Sequence, residues 1–91
     1  MIVHMFAIMT VTGADHTGII AAVTTELARH SVNILDVSQT IMDEWFTMIL
    51  RIKLADTPIA ELQQRLDEVG SAEGVVIRVQ SEDLFTAVNE I

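Results

Sequence analysis

Between Trp45 and Leu54 the chain alternates strictly. Phe46, Met48, Leu50, Ile52 and Leu54 form one apolar row, and Thr47, Arg51 and Lys53 fall on the opposite face. A period of two belongs to a strand with one side in a core, and a one-residue slip would turn the whole row outward. Such a strand cannot stand alone. It needs strand partners and a layer of structure over its apolar side.

The rest of the chain supplies both. Ile34 to Met42 alternates as well, with Leu35, Val37 and Ile41 on one side and Asp36, Ser38 and Thr40 on the other. Asp43-Glu44 is a two-residue polar link between these two strands, which reads as a hairpin. Val3 to Thr12 is a nearly continuous apolar and β-branched run ending at Gly13, as a central strand requires. Val75 to Val79 reads as a fourth strand. Ile19, Ile20, Val23 and Leu27 recur at helical spacing through about His30, after a turn Gly13-Ala14-Asp15-His16-Thr17-Gly18 in which Asp15 is placed to cap the helix. Ser31-Val32-Asn33 closes that helix. Thr57-Pro58 opens a second, Ile59, Leu62, Leu66 and Val69 are its buried stripe, and Gly70 is its expected stop. Ser81-Glu82-Asp83 starts a short amphipathic helix bearing Leu84, Val88 and Ile91.

The order is β-α-β-β-α-β with one hairpin, which makes two split β-α-β units. The expected fold is α+β: a ferredoxin-like βαββαβ sandwich, with a four-stranded antiparallel sheet, two helices on one face and a short C-terminal helix. The first and third strands would be central. Residues 1–80 form the domain, and residues 81–91 a tail helix that packs on the domain or on a second subunit.

This fold leaves one sheet face without helices, and that face is not polar: Trp45 and Ile49 lie on one side of strand three, and Phe6 and Ile8 belong to strand one. With 51% apolar residues, the chain holds more apolar material than one small core can hide. The second strand is also a long edge with open hydrogen-bonding groups and little charge beyond Asp36 and Asp43. Both features point to a homodimer or larger homo-oligomer. Thirteen carboxylates against five basic residues give a formal net charge of −8, which repels phosphate backbones and anionic lipid, so neither nucleic acid nor membrane is an expected partner. There is no cysteine, which removes disulfides and thiolate chemistry together. Met1 to Met9 lacks a basic n-region and a cleavage site and reads as a strand, so a cytoplasmic location is expected.

The fold hosts unrelated activities, and residues must choose among them. Sheet-face RNA binders need exposed aromatics and a basic surround, whereas aromatics here are 4% of the chain. Metallochaperones of this shape use paired cysteines. Acylphosphatases use an arginine in the first loop, and this loop has no basic residue beyond His16. His4, His16 and His30 lie far apart in sequence, no serine or cysteine nucleophile sits by a base, and neither cofactor nor metal nor enzymatic activity is implied.

What remains is Asp15-His16-Thr17-Gly18 together with Val32-Asn33-Ile34. In these two segments and their spacing the sequence resembles the ACT family, over nearly all of residues 3 to 80. Its hairpin, Asp43-Glu44-Trp45-Phe46-Thr47-Met48, is most similar to stand-alone ACT proteins of bacteria and archaea, and the chain also resembles one repeat of the glycine-cleavage repressor. The resemblance implies a regulatory module that binds a small polar metabolite, an amino acid, between two subunits. The first loop of one subunit (Gly13, Ala14, Asp15, His16, Thr17, Gly18) would face the Asn33-Ile34-Leu35 step of the other, and the signal would pass to a regulated enzyme or transcription regulator. The chemistry suits a zwitterion. Asp15 can accept from an ammonium, helix-start N–H groups can donate to a carboxylate, Asn33 offers both roles, and Ile34 and Leu35 would form an apolar wall. His16-Thr17 stand where the family has Arg-Pro, which removes a fixed cation and a stiff residue from the loop. Plainer roles stand beside these: Asp15 as helix cap, Asn33 in a left-handed turn, Gly13 and Gly18 as packing and turn residues. The alternative reading is a structural or protein-interaction module with a degenerate ligand pocket.

Overall fold

The computed structural model describes residues 5–84. They form β1 (Met5–Ala14), α1 (Ile19–Arg29), β2 (Asn33–Met42), β3 (Trp45–Leu54), α2 (Ile59–Glu73) and β4 (Val75–Ser81), in the expected βαββαβ order. The sheet order is β2-β3-β1-β4 with every pairing antiparallel, so β1 and β3 are central as the sequence predicts. A short C-terminal helix follows β4: residues 82–84 are helical, and Ser81 Oγ accepts the Leu84 N–H at 3.2 Å. The predicted continuation of this helix through Val88 and Ile91 lies outside the described residues. Among the described residues, no helix is long and apolar enough to cross a membrane.

All of the buried apolar residues fall on one side of the sheet. Ala7, Met9 and Val11 of β1, the five-residue row of β3, and Val75, Ile77 and Val79 of β4 meet Ile19, Val23 and Leu27 of α1 and Leu62 and Leu66 of α2. Full burial of one such side chain stabilises by about 1.5–3 kcal/mol, and burying this row in a single layer is what fixes the strand register. The opposite face is open. Cross-strand pairing places Phe6, Ile8 and Thr10 of β1 on it, with Trp45, Ile49, Arg51 and Lys53 of β3 and Val76, Arg78 and Gln80 of β4.

The two edges differ. On β4, the Gln63 side chain of α2 donates to Ile77 O at 2.8 Å and accepts from Val79 N–H at 2.8 Å, so one amide occupies the place that a further strand would take. Among the described residues β2 has no such cover: all ten of its residues are exposed, Val37 and Ile41 by more than half.

Four local expectations are corrected. Gly70 is not the helix stop. α2 runs on to Glu73 and closes at Gly74, whose φ of 69° is the left-handed step that ends the helix, while a Cβ on Gly70 would lie 2.6 Å from Val75 O. Gly70 therefore serves the contact between α2 and β4 rather than a turn. Thr57-Pro58 does open α2, but Pro58 itself is the cap residue, and Thr57 Oγ1 meets His30 Nδ1 at 3.3 Å. β2 does not alternate without interruption. A bulge between Ile34 and Asp36 leaves Leu35 as an extra residue, so Ile34, not Leu35, shares the helix-side row with Val37 and Ile41. The Asp36 carboxylate accepts from Val37 N–H at 2.9 Å beside this bulge. Finally, Gly13 and Ala14 belong to β1, not to the turn, since the β1–β3 ladder continues to Ala14↔Trp45.

Gly70→Ala separates two physical effects. Helix propensity alone favours alanine by about 1 kcal/mol, whereas the contact with Val75 O makes the added methyl an overpacking defect costing about 1–3 kcal/mol. The variant is expected to lower the urea midpoint with an unchanged slope, and a raised midpoint would show that propensity dominates.

Candidate functional site

The loop between β1 and α1 is pinned from two directions. Asp15 N–H donates to Glu44 O of the hairpin turn at 2.7 Å, which carries the β1–β3 pairing one residue past Ala14. Asp15 is thus held as a strand extension and does not cap α1. Its exposed carboxylate has no hydrogen-bond partner among the described residues. The cap is Gly18, in the left-handed region at φ 98° and ψ −4°, with no side-chain cap. A non-glycine residue would be strained there. The space around the Gly18 Cα is empty, with nothing within 4 Å of where a Cβ would stand. The first helical hydrogen bond runs from Ala22 N to Gly18 O at 3.0 Å, so the N–H groups of Ile19, Ile20 and Ala21 have no helical acceptor. Gly13 is different: a Cβ on it would approach Gly74 O and Val75 Cγ1 at 2.9 Å, so this glycine serves close packing.

His16 is the second pin. Its Nε2 lies 2.6 Å from Glu73 O at the end of α2, and its Nδ1 lies 3.0 Å from Thr17 O. Carbonyl oxygens only accept. Both ring nitrogens can therefore donate at once only in the imidazolium form, which the carbonyl end of a helix also favours. Accordingly the His16 pKa is raised from 6.5, first by the Glu73 carbonyl and then by that of Thr17, with smaller help from the Glu73 and Asp15 charges and against some desolvation. The imidazole is thereby fastened to the end of α2 and to its own loop rather than aimed outward.

The second half of the predicted site lies elsewhere. Asn33 is the first residue of β2, paired with Lys53, and the left-handed residue after α1 is Ser31 at φ 55°, so Asn33 does not hold that turn. Ile34 pairs with Ile52, and Leu35 is the bulge residue. Lys53 and Trp45 mark opposite ends of β3, the one beside Asn33 and the other beside Ala14. Eight steps along the strand separate them, about 27 Å. Within one chain, therefore, Asp15–Gly18 and Asn33–Leu35 do not converge.

Sequence reasoning did not find a third group, on the open face. Arg51 of β3 holds Glu82 with two hydrogen bonds, Nε to Oε1 at 2.6 Å and Nη2 to Oε2 at 3.2 Å, and its guanidinium stands 4.8 Å from the centroid of the Phe6 ring. The hydrogen bonds from Arg51, helped by its charge and against some desolvation, hold the Glu82 carboxyl below its usual value. The one sequence signal was a cation in the outward row of β3; its partner, 31 residues on, carried none.

A four-stranded β2-β3-β1-β4 sheet with two helices on one side and a glycine-headed helix start after the first strand is a ferredoxin-like sandwich. The family model for the ACT domain matches residues 5–80, and the chain belongs to that family. A UPF0237 protein of Corynebacterium efficiens is 63% identical over 89 residues, covering 96% of this chain and 100% of its own length. Among solved structures, an ACT domain protein from Streptococcus pneumoniae is 36% identical with a TM-score of 0.76, covering 96% of each chain. A putative glycine cleavage system transcriptional repressor shares the fold at 19% identity and a TM-score of 0.78, over 88% of this chain and 46% of its own.

The His16 clamp makes stability depend on pH in a fixed direction. A raised folded-state pKa means stabilisation that is fully present below the unfolded value of 6.5 and is lost as pH rises through the folded value. An NMR titration of the folded protein is expected to place His16 above 6.5, and His16→Gln should remove this pH dependence. A titration at or below 6.5 would show that the two carbonyl contacts do not hold the charged ring.

Proposed function

We propose that this chain is a ligand-sensing regulatory module that works as a homodimer joined along β2, and that its ligand is a small zwitterion of the amino-acid class. In this reading the ligand lies between Asp15–Gly18 of one copy and Asn33–Leu35 of the other. It shifts the arrangement of the two copies, and the shift is read in the cytoplasm by a regulated enzyme or transcription regulator. Membership of the ACT family supports a regulatory small-molecule role.

The observation that carries the reading is the state of β2: ten residues, all exposed, with Ile34, Val37 and Ile41 aligned on the helix side and no cover over the outer edge among the described residues. An edge this long and apolar is stable only when paired or covered. Antiparallel pairing of two copies about a two-fold axis sets Asn33 of one copy beside Met42 of the other. Met42 pairs with Trp45, and Trp45 with Ala14, so that end of the sheet is the one carrying the Asp15 loop. Two-fold pairing thus brings together the segments that a single chain keeps apart. The free Asp15 carboxylate suits an ammonium, and the three open N–H groups at the start of α1 suit a carboxylate.

The protein-interaction alternative rests on a different observation, the exposure of Met42, Trp45, Ile49 and Val76. It predicts a stable protein partner and no small-molecule response.

Light scattering is expected to give the mass of a dimer, and Val37→Lys, which sets a charge on the pairing edge, is expected to give a monomer. Screened against the common amino acids at millimolar concentration, the chain should show a rise in Tm of several degrees with at least one of them, since a ligand at about ten times its Kd stabilises by about 1.4 kcal/mol. Asn33→Ala should abolish the rise. A monomer at high concentration, or no response across the panel, would overturn the proposal.

A further inference from the structure

The Gln63 amide occupies one place on the outer edge of β4, and the place beside it is open. Residues of an antiparallel strand alternate between those that bond the neighbouring strand and those whose N–H and C=O both point away from it. Ile77 and Val79 are of the second kind, since Ile77 O and Val79 N–H meet Gln63 rather than β1. Val75, two residues earlier, is in step with them. Val75 O and Ile77 N–H therefore repeat, one period earlier, the acceptor and donor that Gln63 engages, and they have no hydrogen-bond partner among the described residues. They open on a hollow of about 300 Å³ between α2 and β4, lined also by Asp67, Gly70, Ser71 and Arg78.

We propose that this hollow is a binding site for a small acid bearing a primary carboxamide. Gln63 shows the fit. Its amide N–H groups reach Ile77 O at 2.8 Å and Asp67 Oδ1 at 2.7 Å, while its oxygen accepts from Val79 N–H. A second carboxamide, one period along, donates to Val75 O and accepts from Ile77 N–H, a pairing that a carboxylate, which only accepts, or an ammonium, which only donates, leaves half made. No side chain among the described residues takes that place. The residue one turn after Gln63 is Asp67, whose carboxylate is turned to the Gln63 amide, and Gly70 has no Cβ to stand 2.6 Å from Val75 O. Ser71, one turn after Asp67, lines the hollow and offers its hydroxyl to the second amide N–H. Arg78 supplies the charge. Its exposed guanidinium is held only loosely by Asp67, at 3.9 Å, and can turn to a carboxylate on the same molecule. The site lies on the edge opposite β2 and needs no second copy.

The Ile77 amide reports directly on the site. In an NMR titration of the full chain, succinamate, which has a carboxamide at one end and a carboxylate at the other, is expected to shift the Ile77 N–H saturably. Succinate, of the same length but with no amide donor, is expected to bind at least about tenfold more weakly, because it leaves Val75 O unpaired. Arg78→Gln should weaken succinamate binding by about threefold, the scale of one exposed ion pair. Ser71→Phe, a change at an exposed position of α2, should fill the hollow and abolish the shift. An Ile77 amide unmoved by succinamate at tens of millimolar would overturn the site, as would equal binding of succinate or a shift that survives Ser71→Phe. Shifts confined to the amides of Ile19, Ile20 and Ala21 would also overturn it, while bearing on the cleft at the first loop instead. The result at Ile77 is thus separate from the amino-acid screen and from Val37→Lys.

Discussion

The antiparallel ladder between β1 and β3 sets the position of everything else in the domain. Ten pairs, from Met5↔Leu54 to Ala14↔Trp45, hold two long strands in one register. That register is enforced by burial. On one side Ala7, Met9 and Val11 and the alternating row of β3 meet both helices, and a shift by one residue would carry Thr10, Thr12, Thr47, Arg51 and Lys53 into the core along with the apolar residues of the open face. β2 and β4 take their places from this pair, one on each side. The first loop takes its place from the ladder's end, where Asp15 N–H continues the pairing onto Glu44.

The same frame explains why the loop can present open donors and a free carboxylate while remaining ordered. Its backbone is fixed at Asp15 by the hairpin and at His16 by the end of α2, two anchors from distant parts of the chain. Between and after them, Gly18 admits the left-handed step into α1 without a side chain to fill the opening. In the sequence, exchange of the family's Arg-Pro for His16-Thr17 suggests a looser loop; in the folded domain the imidazole replaces stiffness in the loop with a tie to another element.

The strands, the helices and their order were legible because each depends on periodicity over ten or so residues. The alternation in β3 and the Ile19–Val23–Leu27 and Leu62–Leu66 stripes are long enough to outweigh local exceptions. The misreadings are all at single positions. Gly70 has the composition of a helix stop, but a strand backbone passes too close for any other residue. Asp15 has the composition of a cap, but the hairpin claims its backbone first. Leu35 falls in phase with Val37 and Ile41 only if no residue is extra, and nothing in its chemistry marks a bulge. For the candidate site, the sequence reading set the two segments on different subunits, and their separation within one chain agrees with that. That Asp15 and Asn33 stand at opposite ends of a strand follows from pairing, which connects residues far apart in the chain. His16's acceptor is a backbone carbonyl, and a carbonyl has no signature in a sequence.

The Gln63 amide on β4 has a consequence for assembly. A sheet with two free edges can add copies head to tail, β2 of one against β4 of the next, and such heterologous contacts do not close. Because Gln63 already engages Ile77 O and Val79 N–H, the β4 side cannot accept a strand without losing those bonds. One side chain thus closes the β4 edge to a further strand, and among the described residues β2 is left as the edge whose outer groups stay open to one.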